Sequence, residues 1–110
     1  MKLPNGDRAV VDDAKLLRYV LNPEHPRGRH HAYLFKRLLG IDRHSAPRLK
    51  AALQAAAREG EATLRDSSPH GQIFEVRTVM ESARGRYNVV SAWIVRRDED
   101  FPRLVSAYVK

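Results

Sequence analysis

The chain has no cysteine among its 110 residues, which excludes disulfides and thiolate metal sites. No apolar run approaches the ~20 residues that a membrane-spanning helix needs, and residues 1–7 lack the apolar core of a signal peptide. Aromatic residues make up only 7% of the chain, with a single tryptophan. These absences predict a soluble cytoplasmic protein that contacts no membrane and is stabilised by its core rather than by cross-links.

Positive charge is in excess. Twenty Lys and Arg residues stand against thirteen Asp and Glu, which gives a formal net charge of +7. Such a balance favours a polyanionic partner, with nucleic acid the first candidate. Because many small basic proteins bind polyanions without specificity, the charge alone does not define a function. The length and the 43% hydrophobic content predict one domain, residues 1–110, built around one core.

Three segments in the first half of the chain repeat apolar residues with helical spacing. Asp12 or Asp13 is a suitable N-cap for the first, Gly40 a C-terminal stop for the second, and Ser45 an N-cap for the third. The predicted helices cover about 13–21, 30–39 and 46–59. A short apolar run before them, residues 8–11, is predicted to form an edge strand.

The second half alternates apolar and polar residues, which is typical of strands with one buried face. The predicted strands cover 61–65, 72–80, 87–96 and 103–109, with a loop at 66–71 and a hairpin connection at 83–86. Helices followed by antiparallel strands predict an α+β fold. In it, N-terminal helices pack on one face of a C-terminal antiparallel sheet of three to five strands, and the other face is open.

The segment between the first two helices has the most unusual composition in the chain. Pro23 and Pro26 restrict the backbone, and Gly28 permits a turn. This stiffened loop and the helix start after it carry five basic side chains: His25, Arg27, Arg29, His30 and His31. Groups that exchange protons near neutral pH, beside arginines, indicate chemistry on an anionic substrate.

His30 and His31 lie at a predicted helix start, where exposed backbone amides favour an anion and disfavour a protonated imidazole. A histidine there can act as a base in the empty site and as an acid once a phosphodiester is bound. The alternative is that both are solvated surface residues. A metal site of His25, His30 and His31 with Glu24 is disfavoured, because neighbouring helical residues point in different directions. We therefore expect a metal-independent mechanism without a cofactor.

The predicted open face of the sheet supplies further candidates. Alternation places Arg77 away from the helices, and the more core-like set of the third strand, which contains Ile94, leaves Ser91 and Trp93 on the open face. Trp93 would there offer a stacking platform for an unpaired base. The alternative is that the only tryptophan belongs to the core.

The last strand is predicted to bury Val105, Ala107 and Val109 and to expose Ser106 and Tyr108. Tyr108 would supply a proton donor or a hydrogen bond, and Ser106 a secondary contact to nucleic acid. A further pair of arginines, Arg84 and Arg86, flanks the glycine of the predicted hairpin, where bidentate phosphate contacts are available. A solvated turn is the alternative for that pair.

Three segments carry a resemblance to known proteins: residues 21–35, Trp93–Arg97 and Leu104–Tyr108. Through them, and over nearly its whole length, the chain resembles an uncharacterised family of small bacterial domains. The family's pattern is similar to that of the barnase, EndoU, colicin and RelE group of metal-independent ribonucleases. The resemblance implies N-terminal helices, an antiparallel sheet that carries the active site, and toxin-like activity. Family members commonly have lysine where this chain has His31.

The sequence thus predicts a metal-independent endoribonuclease, in which a ribose 2′-OH attacks the adjacent phosphate. The predicted proton-transfer residues are His25, His30, His31 and Tyr108. The predicted contacts to RNA or another nucleic acid are Arg27, Arg29, Arg77, Arg84, Arg86, Trp93 and Ser106. The alternative is a noncatalytic nucleic-acid-binding or protein-interaction module, including one half of a toxin and partner pair, with an acidic protein as a further candidate partner.

Overall fold

The computed structural model describes all 110 residues, with helices in the first half of the chain and strands in the second. The helices are α1 (Asp13–Lys15), which continues as a π-helical segment (Leu16–Val20), α2 (Arg29–Leu39) and α3 (Ala46–Glu59), with 3₁₀ turns at Gly6–Arg8 and Arg43–Ser45. The strands are β1 (Ala62–Ser68), β2 (Gly71–Ser82), β3 (Gly85–Arg96) and β4 (Pro102–Val109). The predicted α+β fold is confirmed.

The helix ends form where local side-chain chemistry favours them. The Asp12 carboxylate accepts a hydrogen bond from the Ala14 N–H and caps α1, and Gly40 ends α2 in the left-handed conformation at φ 67°, which suits a residue without a Cβ. Ser45 precedes α3 as predicted, but its hydroxyl accepts from the Asp42 N–H in a capping box of the preceding 3₁₀ turn.

The four strands form an antiparallel meander in the order β1-β2-β3-β4. β1 reaches Ser68, so the connection to β2 is shorter than the predicted loop. The predicted strand at residues 8–11 is reduced to a single parallel bridge between Val10 and Arg103, at the start of edge strand β4. Beyond this bridge, the outer edge of β4 has no partner strand, so a helix can contact it.

The helices cover one face of the sheet, as predicted, and bury a single core against it. α2 contributes Phe35 and Leu39 and α3 contributes Leu49 and Leu53, all almost fully buried. The main sheet residues in this core are Phe74, Val76, Met80, Val89, Trp93, Leu104, Ala107 and Val109. Burial of large aliphatic and aromatic side chains supplies most of the favourable free energy of folding.

The prediction that Ser91 and Trp93 lie on the open face is wrong, because both are fully buried under the helices. The antiparallel register pairs Trp93 with Phe74 and Ser91 with Val76, which puts both on the core face. The Trp93 indole Nε1–H donates to the Ser91 hydroxyl over 2.9 Å, and this hydroxyl donates to the Val76 carbonyl oxygen over 3.2 Å. An indole enclosed in this way cannot stack on a base, so Trp93 is a core residue.

The faces of β4 follow the prediction except at Val105. A register irregularity in the β3–β4 pairing sets Ser106 opposite Ala92 and Leu104 opposite Trp93, so Val105 is the extra residue of a bulge. Leu104 takes the buried position instead, and Ala107 and Val109 are buried as predicted. Ser106 and Tyr108 alternate with these core residues and belong to the opposite, open face.

Replacing Ser91 with alanine leaves the buried indole N–H without an acceptor, which costs about 1–3 kcal/mol. We expect Ser91→Ala to lower the free energy of unfolding by that amount in urea titrations. In a Trp93→Phe background, where no indole N–H remains, Ser91→Ala should cost at least about 1 kcal/mol less. An equal cost in both backgrounds would contradict the role assigned to this hydrogen bond.

Candidate active site

The loop that leads into α2 is held by its own side chains. The Asn22 side chain accepts from the Glu24 N–H and donates to the Arg18 carbonyl oxygen. The His25 Nδ1 accepts from the N–H groups of Arg27 and Gly28, both over 3.0 Å. These bonds provide acceptors for backbone N–H groups that lie outside the helices and strands. They also define the path of the chain into the helix.

His25 is consequently a structural part of the loop. Because Nδ1 accepts two hydrogen bonds, a neutral imidazole here carries its proton on Nε2. The ring also packs edge-on against Tyr19, with ring centroids 4.7 Å apart. Only Nε2 is left for proton transfer, and the predicted catalytic role of His25 stays a prediction for that atom alone.

Gly28 brings the loop into contact with the helical segment before it. A Cβ at this position would lie 2.6 Å from the Tyr19 carbonyl oxygen and 3.4 Å from the Tyr19 ring atom Cδ1. Only glycine allows this approach without a shift of the backbone. The contact fixes the start of α2, and with it the positions of the residues in the first helical turn.

That first turn brings two predicted catalytic residues to a third. The ring centroids of His30 and His31 are 5.9 Å apart, and those of His31 and Tyr108 are 5.2 Å apart. His30 is exposed, whereas His31 and Tyr108 are partly buried. Since α2 packs on the core face and Tyr108 belongs to the open face, the residues meet at the free edge of β4.

The surroundings of His31 favour its neutral form. Burial, and secondarily the charge on neighbouring His30, hold the pKa of His31 below its ordinary value. Its Nδ1 is buried without a hydrogen-bond partner in the protein. The partly buried imidazole of His31 and the exposed imidazole of His30 thus have different environments, as do neighbouring groups that act as base and acid in one site.

Backbone donors lie at the same place. Gly28 provides no side-chain cap for α2, and the N–H groups of His30 and His31 have no acceptor within the protein. The N-terminus of a helix with free N–H groups favours an anion. The exposed side chains of Arg27 and Arg29 stand immediately before these donors, so the local charge also favours a phosphate.

The open face carries two more of the predicted residues. Arg77, Val90 and Tyr108 are aligned across β2, β3 and β4, which separates the Cα atoms of Arg77 and Tyr108 by roughly 10 Å. Ser106 lies one pair further along β4, opposite Ala92. Arg77, Ser106 and Tyr108 therefore share a face, as predicted, but without Trp93.

The hairpin arginines lie apart from this cluster. Arg86 forms an exposed ion pair with Glu81 over 3.0 Å, whereas Arg84 lines a cleft between the hairpin and the end of α2. That cleft, which we call the hairpin cleft, has a volume of about 670 Å³. Its cationic lining consists of Lys36, Arg37, Arg48 and Arg84.

A second cleft of about 450 Å³ lies between the loop at residues 21–23, α2 and the 3₁₀ turn Arg43–Ser45. We call it the loop cleft. Its basic lining consists of Arg29, Lys36, Arg43 and His44, and it shares Tyr33 and Lys36 with the hairpin cleft. Neither cleft was predicted from the sequence, although the helical spacing of residues 29, 33, 36 and 37 indicates one basic, aromatic face of α2.

No group of three or more His, Cys, Asp or Glu side chains is arranged to hold a metal ion. None of the helices is both long and apolar enough to cross a membrane. Metal independence of the predicted reaction stays a prediction, because it concerns an activity rather than an arrangement of side chains.

The fold and the site define a small basic α+β domain with a histidine-bearing helix at the edge of an antiparallel sheet. Residues 2–110 match the family model described as "Domain of unknown function (DUF6883)", and the chain belongs to that family. No curated protein and no solved structure matches it significantly. The predicted membership of an uncharacterised domain family is thereby confirmed, and the ribonuclease resemblance remains a hypothesis.

The lowered pKa of His31 links stability to pH. When the pH falls below 6.5, the ordinary pKa of histidine, His31 binds a proton in the unfolded chain more readily than in the folded protein. The free energy of unfolding therefore decreases until the pH passes the pKa of His31 in the folded protein. His31→Gln should reduce the loss of melting temperature between pH 7.5 and pH 5. His70→Gln, an exposed histidine in the β1–β2 turn, is the control. An unchanged pH dependence in His31→Gln would contradict the assignment.

Proposed function

We propose that this domain is a metal-independent endoribonuclease. The observation that carries the proposal is the meeting of His30, His31 and Tyr108 at the edge of β4. Three groups able to transfer or share protons lie there beside free helix N–H donors, which is the chemistry that cleavage of an RNA phosphodiester requires.

His31 acts as the base in this mechanism. Its neutral imidazole removes the proton of the ribose 2′-OH as the 2′ oxygen attacks the adjacent phosphorus. The bond from phosphorus to the 5′ oxygen then breaks, and His30, which is exposed at the start of α2, protonates the leaving oxygen. The products are a 2′,3′-cyclic phosphate and a 5′-hydroxyl, and Tyr108 hydrogen-bonds to the reacting group.

The phosphate itself is held by charge and by backbone donors. The N–H groups at the start of α2 and the exposed guanidiniums of Arg27 and Arg29 face the negative charge that grows on the phosphorane. Arg77 and Ser106, on the open face with Tyr108, contact the RNA on the sheet side of the scissile bond.

The resemblance described above implies lysine at the position of His31 in relatives. Partial burial disfavours the charged form of either side chain, since desolvation lowers the pKa of lysine as it does that of histidine. A histidine and a partly buried lysine can therefore fill the same role as base, with histidine active at lower pH.

The activity is tested by incubating purified protein with mixed RNA in EDTA from pH 5 to pH 9. We expect cyclic phosphate and 5′-hydroxyl ends, and a loss of at least about a hundredfold in rate for His31→Ala, since one positioned proton-transfer group typically contributes 10²–10⁴-fold. Tyr108→Phe should lower the rate less, and His70→Gln should match the unmodified chain. Intact RNA at every pH, with protein shown to be folded by circular dichroism, would contradict the proposal.

A noncatalytic nucleic-acid-binding module is the second candidate. The hairpin and loop clefts favour it, because neither contains His30, His31 or Tyr108 among its lining residues. This candidate predicts salt-sensitive binding, intact RNA recovered afterwards, and tolerance of His30→Gln and His31→Gln.

A further inference from the structure

The ion pairs of this chain are segregated from the two clefts. Six Lys and Arg side chains lie within 4.0 Å of a carboxylate: Arg8, Lys50, Arg58, Arg65, Arg86 and Arg103. None of them lines the hairpin cleft or the loop cleft. Six of the fourteen Lys and Arg side chains without a carboxylate partner therefore line these two clefts.

The cations that do line the clefts have no carboxylate partner. They are Arg29, Lys36, Arg37, Arg43, Arg48 and Arg84. The one acidic residue among them is Asp42, whose carboxylate accepts the His44 N–H over 2.9 Å and caps a turn. Arg48 is held in place by donating to the carbonyl oxygens of Leu39 and Glu81, so it can present charge without first losing side-chain freedom.

An exposed aromatic ring joins the two clefts. Tyr33 lines both of them and is 56% exposed. It follows Arg29 by one helical turn and precedes Arg37 by another, so the ring lies between cations on the outer face of α2. A solvated aromatic ring flanked by cations is the arrangement that binds unpaired bases by stacking and their phosphates by charge.

We propose that the two clefts form one continuous binding track for single-stranded RNA, with Tyr33 as the stacking platform and the unpaired arginines and Lys36 as phosphate contacts. The track begins at Arg29, next to His30, and passes over α2 to Arg84 on the hairpin. The inference rests on the proposed function for the identity of the ligand. The nucleotides that flank the cleaved bond bind in the track.

A single strand fits this track better than a duplex, because a tyrosine ring stacks only on a base that is not already paired and stacked. An acidic protein surface would use the same cations, but it would gain nothing specific from an exposed ring between them. The contribution of the ring therefore separates the two classes of ligand.

The probe for the test is a fluorescent ten-residue 2′-O-methyl oligouridine, which lacks the 2′-OH nucleophile and cannot be cleaved by the proposed reaction. Binding is followed by fluorescence anisotropy. We expect Tyr33→Ala to weaken binding about tenfold, in line with loss of one base–aromatic stack. Tyr33→Phe, which keeps the stacking face, should bind within twofold of the unmodified chain.

The charge contribution has its own matched pair. Arg37→Ala should weaken binding and reduce the slope of log K against log salt by about 0.7, the value for one phosphate contact on a single strand. Arg58→Ala removes an exposed arginine that pairs with Glu59 on α3, outside the clefts, and should leave the affinity and the slope unchanged.

Wild-type-like binding of both Tyr33→Ala and Arg37→Ala would overturn the track, as would the absence of binding by the unmodified chain. Equal weakening by Tyr33→Ala and Tyr33→Phe would overturn the stacking role. Because the probe cannot be cleaved, these outcomes are independent of activity. A protein that binds through the track but leaves natural RNA intact would refute only the ribonuclease proposal.

Discussion

The close approach of Gly28 to the Tyr19 carbonyl oxygen is the contact on which the surface of this domain depends. It holds the residue before α2 against the preceding helical segment and so positions the start of the helix. One flank of the helix then brings His31 to Tyr108 at the edge of β4, while its outer face places Tyr33 between two basic clefts. The proposed proton-transfer cluster and the proposed RNA track thus lie on one helix, whose start this backbone contact positions.

Much of the fold follows from local signals. Gly40 ends α2 in a left-handed conformation, and Asp12 caps α1, as their residue types predict. The pattern of β3 does not reveal its buried face, because both of its faces are apolar and the only polar residue of the core set, Ser91, accepts a hydrogen bond from Trp93. The two-residue turn before Gly85 sets the register that pairs Trp93 with Phe74. Alternation along β2 puts Phe74 on the face opposite that of Arg77, towards the helices.

The candidate site was predictable only in part. The concentration of histidine and arginine at the start of α2 is visible in the sequence, and so is the alternation that places Tyr108 on the open face. The contact of His31 with Tyr108 depends on how α2 lies along β4, and the hairpin cleft depends on Arg84 folding back towards α2. The structural use of the His25 Nδ1 is likewise a property of the folded loop, which residue type alone does not reveal.

In the proposed function, RNA phosphate is bound where the first turn of α2 meets the edge of β4. The most direct measurement is an NMR titration with uridine 3′-monophosphate, followed at the imidazole and tyrosine ring signals and at the backbone amides. We expect the largest shifts at His30, His31 and Tyr108. Unchanged signals from these three residues, with the largest shifts elsewhere, would contradict it.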